Sequence, residues 1–141
     1  LELIEYRLDL SERILSPSDF GFHNILVDNK TLYFFDFEYA GWDDPAKLFC
    51  DFYSQPEFPV IFEQAENFRI LVSQALKLTE TNLWTKELLP FYRLKWCCIL
   101  LNEFRQSDRN RRIHAGMHSV KMLRVQLHKA KSYFKQNFGE I

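Results

Sequence analysis

The chain holds 141 residues, 47% of them hydrophobic and 16% aromatic, with a formal net charge of −1 at neutral pH. That is enough to bury one core of ordinary size, so a single domain or lobe over 1–141 is expected, and no stretch of about eighteen uncharged apolar residues offers a membrane span. The near-zero charge hides a division: residues 1–104 carry −8, residues 105–141 carry +7, and the carboxylates around the most unusual segment all fall in the acidic part.

In chain order, Leu3, Ile4, Leu8, Leu10 and Ile14 recur at helical spacing, and Ser16-Pro17 stops the pattern, which predicts the tail of a helix over 1–14. Charges at Glu2, Glu5, Arg7 and Asp9 break any apolar run, so no signal peptide is expected in this stretch. The chain opens on Leu1, with methionine only at 117 and 122, so a piece of something longer is expected. Ile25 to Val27 and Leu32 to Phe37 are rich in strand formers and flank the turn cluster Asp28-Asn29-Lys30-Thr31, which predicts a β-hairpin. From Ala46 to Tyr53 the apolar period becomes helical, and Pro56 and Pro59 end that short helix. A longer helix follows, with Ile61, Ala65, Phe68, Val72, Ala75 and Leu76 on its inward face. Thr79 or Thr81 is placed to cap the next one, which Pro90 kinks or restarts. The run LKWCCILL at 94–101 is apolar almost all round, so it is expected in the middle of the core. The last helix should turn Val120, Leu123, Leu127, Ala130, Phe134 and Phe138 inward.

Cys50, Cys97 and Cys98 lack metal-site spacing and read as buried thiols of a cytoplasmic protein. The nine basic residues from Arg105 to Lys135 have little aromatic interleaving and fit a solvated helix face better than a nucleic-acid surface. His114 and His118 could share a metal, but histidines beside a basic face are far more often solvated.

The unusual segment is SDFGFHNILVDNKTLYFFDFEYAG. With the turn centred near Lys30, residues whose numbers sum to about 60 face each other, so Asn24 and Asp36 meet at the open end of the hairpin. An amide oxygen and a carboxylate there suit one hard cation such as Mg²⁺, which keeps its other positions for water and phosphate. Asp19, five residues before Asn24, lies on a loop long enough to curl back toward the same space as a candidate base.

The stretches LSPSDFGFHNILV and LYFFDFEYAGWDDPAKL resemble the aminoglycoside phosphotransferase and choline kinase family, whose fold is that of the protein kinases. The match covers residues 15–52. It implies a mainly α fold with one small antiparallel hairpin, the C-terminal lobe of a kinase-like α+β architecture. It also implies transfer of a phosphoryl group from ATP to a hydroxyl of a small molecule, with a cationic substrate among those the family takes. Asp19 would be the catalytic base; Asn24 and Asp36 would hold Mg²⁺ and, through it, the nucleotide. Pro17 stands where the family has His, and His23 sits directly before Asn24 rather than after the Asp-Phe pair. Asp51 could brace the catalytic loop or be an ordinary helix carboxylate. Trp42, Asp43 and Asp44 could face a cation, or Trp42 could pack on helices and Asp44 cap the helix opened by Pro45. The Gly-rich loop and strand Lys that cradle the nucleotide in such enzymes have no counterpart among Gly21, Gly41, Gly116 and Gly139, so the N-terminal lobe is expected from a removed segment or another chain. The reading from another class is a non-catalytic helical module that binds a partner or anionic polymer through its basic last helix.

Overall fold

The computed structural model describes residues 9–78, 85–116 and 119–139. The protein is mainly helical, with two small antiparallel sheets. Strand β1 (Ile14–Ser16) pairs with β4 (Gly41–Asp43), and β2 (Ile25–Asp28) pairs with β3 (Thr31–Phe34). The helices are α1 (Pro45–Ser54), α2 (Phe62–Leu76), α3 (Thr85–Leu100), α4 (Gln106–His114) and α5 (Val120–Phe138). The chain divides into two compact units, Leu1–Leu89 and Pro90–Ile141.

The first unit is organised by the hairpin and α1. Asn29 and Lys30 both take positive φ, 45° and 67°, so they form the two-residue turn whose twist matches the strands it joins. The register runs from Asp28↔Thr31 to Ile25↔Phe34. Asp44 begins α1 as the capping reading had it: its Oδ1 accepts from the Ala46 N–H at 2.8 Å, with Pro45 in the first helical position. That helix buries Ala46, Leu48, Phe49, Cys50 and Phe52. Ile14, Leu48 and Phe49 form the core, and Phe20, Phe68, Val72 and Leu78 pack against it.

Several expectations change here. The helix expected over 1–14 is replaced, in its described part, by a single 3₁₀ turn at Leu10–Glu12 and then by β1. Ile14 is buried because its strand lies against α1, not because a helix carries it there; residues 1–8 lie outside the described residues. The β1–β4 pair was not anticipated. On α2, Phe68 and Val72 face the core, whereas Leu76, and Ile61 just before the helix, are exposed.

In the second unit, α3 runs through Pro90 without interruption. Trp96, Cys97 and Leu100 are buried, while Leu94, Cys98, Ile99 and Leu101 are exposed, so 94–101 presents one buried face rather than filling a core. Cys98 is therefore not the buried thiol expected. Helix α4 also went unanticipated; its only aliphatic residue is Ile113, and Arg112 of its last turn pairs with Glu103 at 2.6 Å. On α5, Ala130 is buried, Leu123 and Phe134 are half-buried, and Val120 and Phe138 are exposed, so the inward stripe is narrower than its spacing suggested. The capping positions Thr79 and Thr81 lie outside the described residues.

Candidate functional site

The loop from Pro17 to Asn24 joins β1 to β2 and is held at several points. Ser16 is buried, and its Oγ accepts from the Ser18 N–H at 3.1 Å. Ser18 has φ 69°, a left-handed conformation unusual for a side-chain-bearing residue, and the Lys47 ammonium donates to its Oγ. The same ammonium pairs with Asp43. One lysine of α1 thus ties the loop before Asp19 to the strand β4.

Phe20 seats the loop on the helices. Its ring lies 5.3 Å from that of Phe68, 5.6 Å from Phe52 and 6.1 Å from Phe34, within the range where aromatic pairs attract. Phe22 meets Phe52 edge-on at 5.5 Å. The two phenylalanines that flank Gly21 therefore anchor the segment from which Asp19, His23 and Asn24 project.

Asn24 closes the loop. It is only 7% exposed, it ends the 3₁₀ turn Phe22–Asn24, and its Nδ2 donates to the Asp19 backbone carbonyl at 2.9 Å. The segment 19–24 thereby curls back on itself. With the amide nitrogen engaged, the Asn24 side-chain oxygen is the atom able to coordinate a cation. The Asn24 carbonyl accepts from the Phe35 N–H at 3.2 Å, which extends the hairpin ladder by one pair. Numbers that face each other across the hairpin sum to 59, because the turn is centred between Asn29 and Lys30. Phe35 is thus opposite Asn24, and Asp36 lies one residue beyond, at the same open end. Asp36 is exposed and has φ 63°. A left-handed aspartate at the end of a strand turns the chain sharply, and such conformations gather at functional sites.

Asp19 is half-buried, and its Oδ1 lies 3.3 Å from Nε2 of His23. In the sequence His23 stands out only by its irregular spacing; its i,i+4 relation to Asp19 is the available signal. The roles of Ser18 and Lys47 had no sequence signal, because they depend on a backbone conformation and on a contact across 29 positions.

The flanking candidates separate. Asp51 of α1 is 1% exposed, so a solvated helix carboxylate is not its state; a carboxylate sealed to that degree requires polar partners. Asp43 is committed to Lys47 and Asp44 to the start of α1, which takes both away from a cation-facing role. Trp42 is 70% exposed and does not pack on helices. His114 is exposed in the last turn of α4, and His118 lies outside the described residues.

Among the described residues, no group of three or more His, Cys, Asp or Glu side chains could hold a metal ion. Asn24 and Asp36 each carry a hard oxygen donor at the same end of the hairpin, but they stand one register position apart and do not face each other as the sequence predicts. No protein-family model, curated protein or solved structure matches the chain.

Proposed function

We propose that the chain is the acceptor-side lobe of a phosphotransferase that moves a phosphoryl group from ATP to a hydroxyl of a small molecule, with the cradle for the nucleotide supplied from outside these 141 residues. One observation carries the reading: the Asn24 amide bonds the Asp19 carbonyl, which folds a loop bearing a carboxylate onto the end of a hairpin whose other strand leads into Asp36. Phosphoryl transfer asks for this kind of assembly, a base aligned beside oxygen ligands with little covalent work for the protein.

In this reading Asp19 accepts the proton of the acceptor hydroxyl. Its half-buried place on an aromatic-anchored loop limits the orientations it samples. Asn24 and Asp36 would hold Mg²⁺, which when bound neutralises charge on the phosphates. The Asn24 amide nitrogen is engaged with the loop, so its oxygen is the atom that would face the ion. Lys47 and Ser16 keep Ser18, and with it the approach to Asp19, in a conformation that the backbone would not choose alone.

The test is transfer from Mg²⁺·ATP to a panel of amino sugars and quaternary-ammonium alcohols by the lobe joined to the segment that supplies the nucleotide cradle. Asp19→Asn should lower transfer by about 10²–10⁴-fold while nucleotide binding persists, since it removes the base and little else. Asp36→Ala should abolish the magnesium dependence of nucleotide binding. Undiminished transfer in Asp19→Asn overturns the assignment. Salt-sensitive binding to an anionic polymer, with no effect of magnesium, supports the helical interaction module instead.

A further inference from the structure

We infer that His23 is a positioning residue for Asp19, and that Gly21 is glycine because the His23 ring occupies the space its side chain would need. The inference deepens the phosphotransferase reading and rests on it for its kinetic consequence. It stands on two independent observations. His23 Nε2 lies 3.3 Å from Asp19 Oδ1, so one oxygen of the candidate base has a ring nitrogen as its neighbour, which can donate to it when Nε2 carries the proton. A Cβ added to Gly21 would lie 2.7 Å from both Cε1 and Nδ1 of the same ring, closer than real contacts permit.

The glycine is not demanded by its backbone. Gly21 has φ −177°, extended geometry open to any residue. What it supplies is room. The residue is buried, and the imidazole folds back across it to span the 3₁₀ turn and reach the aspartate four positions earlier. His23 is half-buried, which limits the alternatives open to the ring.

A carboxylate turns freely about its last torsion, whose preference is broad and two-fold. Holding Oδ1 leaves Oδ2 as the atom presented to an acceptor hydroxyl. The Asn24 amide already holds the backbone carbonyl of the same residue. Asp19 is thus fixed at main chain and side chain by residues of its own loop. Misplacing a reacting group by about 1 Å costs on the order of 10²-fold in rate, which sets the scale of the effect.

Three substitutions separate positioning from packing. His23→Phe keeps a ring without a donor and should lower kcat by roughly 10–100-fold, with KM for both substrates nearly unchanged. His23→Gln, whose amide nitrogen can take the place of Nε2, should recover most of the loss. Gly21→Ala should reproduce His23→Phe in the natural background and have no further effect beside His23→Ala, where no ring remains to be displaced. Unchanged kcat in His23→Phe overturns the inference, as does a Gly21→Ala penalty equally large with and without the ring.

A measurement without turnover keeps the inference separable from the reaction. In long-range ¹H–¹⁵N spectra of the intact chain, His23 should carry its ring proton on Nε2, and Asp19→Ala should shift its resonances more than those of His114 or His128. If the protein complete with its nucleotide cradle transfers no phosphate but that shift is seen, the phosphotransferase reading fails and the positioning contact stands. If transfer is found and His23 does not respond to Asp19→Ala, the reading stands and the inference falls.

Discussion

Ser18, Asn29, Lys30, Asp36 and Lys77 take left-handed backbone, which costs a residue with a side chain about 1–2 kcal/mol. Ser18 and Asp36 lie on either side of the candidate site, where side-chain bonds or the end of a strand hold them in place. The anchor for this arrangement is Phe20. Replacing it with Ala removes the ring that contacts Phe34, Phe52 and Phe68 and should cost about 3 kcal/mol, read as a lowered midpoint in chemical denaturation. Because the same ring seats the loop, that variant should also lose transfer at temperatures where it remains folded. The cysteines give a second reading at this scale. Burial, with a smaller push from Cys98 beside it, holds the Cys97 thiol above its ordinary value, so it stays protonated to higher pH than a free thiol. Cys98 is exposed, and Cys50 and Cys97 are buried. Alkylation of the native protein at mildly alkaline pH should therefore modify Cys98 first, with Cys50 and Cys97 following only on unfolding, as peptide mass mapping would show.

Among the elements, the β2–β3 hairpin holds together through a turn whose chemistry is half favourable. Asn29 suits its left-handed position; Lys30 does not. Lys30→Gly creates the Asn-Gly turn that two-residue hairpins prefer and should stabilise the protein by about 0.5–1 kcal/mol, visible as a raised melting temperature with the register unchanged. The same turn shows what could be read in advance. Alternating strand formers around Asp-Asn-Lys-Thr marked the hairpin, and Asp-Pro marked the start of α1, because these signals are local. The β1–β4 pair was not legible: Ile-Leu-Ser and Gly-Trp-Asp are too short to show a period, and their pairing joins segments far apart in sequence. Helix α4 escaped because a segment of Gln, Ser, Asp, Asn and Arg has almost no apolar period to detect. In the candidate site, the residue types and spacing of Asp19, Asn24 and Asp36 were legible. The one-residue shift in register was not, since it depends on where the two left-handed residues of the turn fall. The tether through Lys47 and the packing of His23 over Gly21 are tertiary facts that no window of sequence contains.

For the whole molecule, the surface of the first unit combines a sealed interior with an unusually apolar hairpin. Antiparallel strands commonly turn a polar face to water, but here the pairs Leu26↔Tyr33 and Val27↔Leu32 fall on opposite faces, and all four residues are exposed. Leu26→Thr with Leu32→Thr should reduce binding of a hydrophobic dye to the native protein while far-ultraviolet circular dichroism stays the same. Among the described residues, no helix is long and apolar enough to cross a membrane. Within that first unit Lys47 joins a loop, a strand and a helix through one ammonium group. It is also the one lysine, among those described, that is not exposed. Amine-reactive esters applied to the native protein should consequently acylate Lys47 last, and its eventual acylation should coincide with release of Ser18 and Asp43 together, turning one slow chemical footprint into a clock for the opening of the loop that carries Asp19.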